Sequence, residues 1–382
     1  MTNSTSAGFS IAVTLLSAAA CAAPGERLET ATAPPPLAAA AVDPGCAVDW
    51  DSTYTIVSRD YAGFAGKTAG PERAAAFAAV TDRVRAELRS AADAEACTAA
   101  LQRWIAFFGD RHLQLWQPGA PAPQPAGPAP APAQEPRLSV AFLDDSTALL
   151  TLPDFGQRWK GAIDSLVAAH RERLLATPYL VIDVRGNGGG WTASYASVLP
   201  LLYTDPIHVD GIEGWASEGN VAEARRMVES PDTPEQLKAQ IRPMLGLLEA
   251  NRGRFVRFAG DDTVTFDTVH PLPRAVAIVA DRRCASTCEQ FLLDARQSRK
   301  VTVFASENTR GMLDYGNLRT VRLPSGARRL AVPTTRSLRL PENPMDLVGI
   351  APGVRIPPGE TDPVRFAARH LRSHGGAGHA AP

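Results

Sequence analysis

Two short apolar runs constrain the fold more than anything else in the sequence: YLVIDV at 179–184 and RAVAIVAD at 274–281. Each is strand-length and apolar nearly throughout, the signature of a strand buried on both faces rather than one washed by water on one side. Around them the texture alternates. LSVAFLDDSTALLTLP (138–153) reads as a hairpin, IDSLVAAHRERLLAT (163–177) as a helix, EQFLLDARQ (289–297) as a second helix, and KVTVFAS (300–306) with the segment 317–340 as further strands. Strands alternating with helices predict an α/β core with a parallel element in its sheet, spanning 137–372. A tail at 373–382 falls outside it.

The first third differs. From Asp49 to Trp116 small apolar residues recur at three- and four-residue steps, and Leu101, Ile105 and Phe108 share one face, so 46–116 reads as a small all-α N-terminal domain. QPGAPAPQPAGPAPAPAQEP (117–136) is a Pro/Ala linker. Ahead of the helices, FSIAVTLLSAAACA (9–22) suits the apolar part of a secretory signal, although the segment before it carries no Lys or Arg. Residues 1–22 are therefore read as a signal peptide or a lipoprotein signal with Cys21 as the lipid anchor, and 23–45 as an Ala/Pro-rich tether. This predicts export to the periplasm or cell envelope, or secretion. With 39 basic against 40 acidic groups and a net charge of −1, no nucleic-acid surface is expected. No apolar run reaches the roughly 20 residues of a membrane-spanning helix. Neither CxxC nor HExxH occurs, and no metal or cofactor is expected.

Chemistry is concentrated in four segments. VIDVRGNGGGW (181–191) sets Gly186, Gly188, Gly189 and Gly190 beside Asn187 after a strand. One glycine would serve a tight turn, but four in five positions point to a backbone that something approaches closely. Before a helix, such N–H groups suit an anion or an oxyanion. The spacing matches neither a dinucleotide fingerprint nor a P-loop. In ADRRCASTCEQFLLDARQ (280–297) Ser286 falls where a strand gives way to a helix. That is the place of a helix cap, with Glu289 completing a capping box, and also the place of an activated nucleophile with the Thr287 N–H beside it. Taken by itself, the segment favours the cap. WIAFFGDRHLQLW (104–116) puts His112 just after a helix, and ENTRGMLDYGN (307–317) holds Asp314 in a turn-rich stretch; each alone reads as structural.

Taken in this order, these segments resemble the C-terminal processing peptidases, or tail-specific proteases. FFGDRH resembles their Asp-x-His segment, YLVIDVRGNGGG their strand and glycine loop, CASTCEQFLL their Ser-x-x-Glu segment, and FASENTRGMLDYGN the strand after it. VGIAPGVRI resembles a late motif of the family, with Gly353 where Asp is usual. The likeness covers Asp49–Ile356 apart from the linker. It implies a ClpP/crotonase-like β-β-α spiral core and a serine-type peptidase acting on polypeptides. Ser286 would be the nucleophile, and Gly188, Gly189 and Thr287 would supply the oxyanion hole. The PDZ module common in the family has no room here, so substrate selection by it is not expected. Many members use a Lys base, but Met312 stands in that position and no Lys follows Lys300. Arg cannot serve as the base, because its pKa is too high. His112 is left, resembling the His of the tricorn-like branch. Asp314 is the first choice to orient it and Glu289 the second, with Asp110 set aside as too close in sequence. Cys46 and Cys97 flank the helical segment and suit a disulfide. Cys284 and Cys288 flank Ser286, where a disulfide, reactive thiols or plain packing all fit; packing is preferred. The expectation is an exported serine endopeptidase. The alternatives are a non-catalytic ligand- or peptide-binding protein on the same fold and an ester hydrolase using the same residues.

Overall fold

The computed structural model describes residues 44–119 and 137–374. The signal segment, Cys21, nearly all of the tether and most of the linker and tail lie outside the described residues.

The two apolar runs form the centre of a six-stranded sheet. Its order is Val354–Arg355, Val301–Ala305, Ala275–Val279, Tyr179–Asp183, Thr147–Thr151 and Ser139–Asp144. All neighbours are parallel except the hairpin at the end, where 139–144 runs antiparallel to 147–151. Register sets Ile182 opposite Ile278 and Ile278 opposite Val303, so alternate residues fill both faces. On one face Ile182 and Ile278 pack under Lys160–Ala176 and Thr287–Ala295 through Ile163, Val167, Phe291 and Leu292. On the other, Val181, Ala277 and Phe304 are covered by Val364, Ala367 and Leu371 of Pro363–His374. This sheet is the α/β core that the sequence predicts. The loops leaving the carboxyl ends of 179–183 and 275–279 are neighbours, which is where open parallel sheets carry their sites.

A second, antiparallel sheet is built on the long strand Arg329–Ser337. It pairs with Tyr315–Arg322, with Gln114–Trp116 and with Ile212–Trp215, which pairs in turn with Phe255–Ala259. The end of the segment read as helical is therefore a strand. After Gly109 the pattern becomes Leu113 in, Gln114 out, Leu115 in, which has the period of two that a sheet edge needs.

The helices Pro44–Asp60, Phe64–Thr68, Pro71–Leu88 and Ala94–Ala106 have no core of their own. Trp50, Trp104 and Phe108 join Tyr315, Leu323, Leu330 and Val332 in one buried cluster. Two ion pairs pin the helices to the 315–337 hairpin. Arg328 meets Asp49 at 2.6 Å with both side chains fully buried, and Arg319 meets Asp60 at 2.5 Å. Cys46 and Cys97 are disulfide-bonded. The helical segment and the sheet pack as one body, so the boundary placed at 116 cuts through a shared core. Among the described residues no helix is long and apolar enough to cross a membrane.

Candidate active site

Ser286 is the N-cap of helix Thr287–Ala295 with φ 53° and ψ −119°, a left-handed conformation that costs a non-glycine residue about 1–3 kcal/mol. The surroundings over-determine it. Its N–H donates to Glu289 Oε2 at 3.0 Å. Cys284 and Cys288 are joined across the turn by a disulfide, both fully buried, so packing alone does not describe them. The Ala285 N–H donates to the Asn187 carbonyl, and the Cys284 carbonyl accepts the Arg310 N–H at 2.9 Å. Ser286 itself is half-buried.

The glycine loop presses directly on this turn. A Cβ at Gly189 would lie 2.6 Å from the Ala285 oxygen and 2.8 Å from the Thr287 nitrogen, which explains why only glycine fits there. Fully buried Asn187 organises the loop: its amide donates to the Leu152 carbonyl at 2.9 Å and its Oδ1 accepts the Gly189 N–H at 2.9 Å. That bond commits the Gly189 N–H, which is therefore not free for an oxyanion. The N–H groups of Gly188 and Thr287 donate to no partner among the described residues. A 3₁₀ turn at Thr192–Tyr195, rather than an α-helix, follows the loop. No α-helix dipole stands behind it; the helix dipole at this site comes from Thr287–Ala295.

Glu289 is fully buried, and its carboxylate accepts four bonds. Oε1 takes the Thr309 hydroxyl at 2.6 Å and the Gly311 N–H at 2.7 Å, while Oε2 takes the N–H groups of Ser286 and Met312. It clamps the Ser286 turn to strand-end residues 309–312 and makes no hydrogen bond to His112.

His112 follows the Asp110 turn, 6% exposed. Its N–H donates to Asp110 Oδ1 at 2.8 Å, and Asp110 Oδ2 accepts the Tyr61 hydroxyl at 2.8 Å. The imidazole Nδ1 is buried with no hydrogen-bond partner. Burial pushes the imidazole pKa below its ordinary value, and the nearby charge of Asp110 opposes that shift. Asp314, expected to orient the ring, does not touch it. Its carboxylate accepts the N–H groups of Met345 and Asp346 at 2.9–3.0 Å and faces Arg339 at 3.4 Å. The acid in place beside His112 is Asp110, the one set aside on sequence spacing.

Segments 111–112, 284–289 and 309–312 adjoin one another. The Arg111 guanidinium donates to the Arg310 carbonyl, and His112 lies in the fields of Glu289 and Arg310. No hydrogen bond joins His112 to Ser286, as is common before substrate tightens a site. Sequence reasoning missed Asn187 and Thr309 as organisers; the Thr-x-Gly pattern at 309–311 was the available signal. The 191–270 region turns in part to the helices, where the Trp215 indole donates to the Arg59 carbonyl at 2.6 Å. Elsewhere His208, Asp210 and Asp261 bring potential ligand atoms within 4.8 Å of one another at the surface, with Arg339 3.9 Å from Asp210.

A mainly parallel spiral core with a strained serine at a strand–helix junction and a glycine loop against it is the architecture of a serine-type hydrolase. The profile of peptidase family S41 matches residues 146–356, more than half of the chain, and the protein belongs to that family. It is thus a serine peptidase, with polypeptide as its substrate class. Among solved structures, a candidate peptidase from Parabacteroides merdae is similar, with TM-score 0.55 at 16% identity over 86% of this chain and 97% of its own. A photosystem II D1 C-terminal processing protease scores 0.46 at 11% identity over 86% and 97%. A lipoprotein from Streptococcus agalactiae scores 0.46 at 14% identity over 86% and 96%. No curated protein matches the chain.

Proposed function

We propose that this chain is an exported endopeptidase in which Ser286 attacks the peptide carbonyl and His112 takes its proton. The observation that carries the reading is the turn at Ser286: a half-exposed hydroxyl at a positive φ, flanked by the unpaired N–H groups of Gly188 and Thr287. As Ser286 Oγ bonds to the carbonyl carbon, the carbonyl oxygen gains negative charge, which those two donors accept. The proton passes to His112, which returns it to the leaving amine; water then repeats the sequence to release the acyl group. A ring whose pKa is held down by burial is neutral at physiological pH and ready to act as base. Asp110, rather than Asp314, supplies the larger negative charge beside it, and Glu289 adds a smaller one. Export is supported by two disulfides, Cys46–Cys97 and Cys284–Cys288, which persist in oxidising compartments.

Fluorophosphonate labelling of the purified chain tests the site. Wild type should be labelled and Ser286→Ala should not, while His112→Ala should label at least about 10²-fold more slowly. Unlabelled but folded wild type would overturn the assignment of Ser286. Cleavage of internal bonds in end-blocked peptides separates an endopeptidase from an ester hydrolase.

A further inference from the structure

The helix that carries Ser286 holds, in its last turn, a carboxylate that the proposed chemistry does not touch. Asp294 of Thr287–Ala295 is 3% exposed. Its Oδ2 accepts the Tyr195 hydroxyl at 2.6 Å, and its Oδ1 accepts the Gln290 amide at 2.8 Å. Among the described residues it forms no salt bridge, and the charge that acts on it is that of another acid, Asp210. Burial pushes its pKa up to about 6, so it still bears a charge at neutral pH. A negative charge is costly there on two counts: it is desolvated, and it lies at the end of the helix where the dipole is itself negative.

What the charge holds is the turn behind the glycine loop. Tyr195 ends Thr192–Tyr195, which follows Gly190 and Trp191 directly. Its ring packs with Phe155 at 5.3 Å and with Phe291 at 5.2 Å. Phe155 in turn fastens the loop, its N–H donating to the Gly189 carbonyl and its carbonyl accepting the Trp191 N–H. Loop and helix are therefore tied twice. The Thr287 hydroxyl donates to the Gly190 carbonyl at 2.9 Å, and Tyr195 meets Asp294 two helical turns further on, about 10 Å along the axis. One tie would let the loop pivot about Thr287; two fix its angle. The unpaired N–H groups lie on opposite sides of this joint, Gly188 on the loop and Thr287 on the helix, so their spacing depends on it. Aromatic packing fills the joint without giving it direction, whereas a hydroxyl bonded to a carboxylate is directional and about twice as strong as a neutral pair.

We propose that Tyr195 and Asp294 are positioning residues for the oxyanion hole: their bond fixes the glycine loop on the Ser286 helix and so sets the spacing of the Gly188 and Thr287 donors. This rests on Ser286 as the nucleophile, but the brace itself is measurable without any reaction at the serine.

The test labels full-length protein with a fluorophosphonate over a range of concentrations, which separates the limiting rate from the half-saturating concentration. Tyr195→Phe and Asp294→Ala should each lower the limiting rate at least about tenfold and leave the half-saturating concentration within about twofold, because misplaced donors weaken the charged adduct and not the encounter. The double variant should be no slower than either single one, since the two residues act through one bond. Asp294→Asn keeps an acceptor for the hydroxyl and should recover part of the rate. Val167→Ala, which empties the core on the same face of the sheet, is the control for a merely structural loss; it should melt earlier yet label at the wild-type rate. Amide exchange of residues 186–191, read by mass spectrometry, should quicken in Tyr195→Phe and not in Val167→Ala. The proposal is overturned if, in protein that labels, Tyr195→Phe matches Val167→Ala in limiting rate or in exchange, or if the two single effects multiply in the double variant. Folded wild type that takes no label, with exchange still faster in Tyr195→Phe, would instead sink Ser286 and leave the brace standing.

Discussion

The two halves of the candidate site are held in opposite ways. The Ser286 half is fixed by contacts within one small neighbourhood: the Cys284–Cys288 bond, the four-donor Glu289 and the Asn187 loop. The His112 half depends on the docking of helices onto a distant hairpin through aromatic packing and the Asp49–Arg328 and Asp60–Arg319 pairs. Its own polar restraints are the backbone bond to Asp110 and a contact of the ring with the Tyr315 main chain, while Nδ1 is left unpaired. One half is rigid before substrate arrives, while the aim of the other is set by how well two regions pack.

Removing Arg328 should test that contrast most severely. Arg328→Ala strands buried Asp49 and is expected to cost about 3–5 kcal/mol, read by urea unfolding. A loss below 1 kcal/mol would show that packing alone seats the helices. Next comes Glu289→Gln, which presents an amide to backbone donors; a loss of about 2–3 kcal/mol and at least tenfold slower fluorophosphonate labelling are expected. Unchanged labelling would mean that Glu289 stabilises without placing Ser286. Cys284→Ala/Cys288→Ala closes no loop and should lower stability by about 2 kcal/mol, with labelling slowed less than in Glu289→Gln.

The smallest effect concerns pH. The base must be unprotonated, and burial lowers the His112 pKa, so kcat/KM should hold to a pH below the ordinary imidazole value before falling. Asp110 opposes that shift; Asp110→Asn should therefore move the acid limb lower still. A limb that stays put in this variant would remove Asp110 from the set.

Legibility followed the same division. YLVIDV, RAVAIVAD and the glycine loop were readable because burial on both faces and close backbone approach leave local traces. The orienting acid was not, because Asp314 and Asp110 are equally acidic on paper; only the fold commits Asp314 to the 345–346 amides. Nor did the helical pattern disclose that its apolar face lacked a core of its own, since the partners Leu330 and Val332 lie far along the chain.

That distance has a bearing on how the protein is made. Asp49 and Arg328 are 279 residues apart, and Asp60 and Arg319 are 259 apart. During synthesis the helical segment leaves the ribosome with Asp49 lacking Arg328 and with a bare aromatic face, and it stays unfinished until the hairpin emerges. Contacts this distant in sequence form late. The segment that carries His112 is therefore seated only after nearly the whole chain exists, later than the local contacts that hold the Ser286 turn.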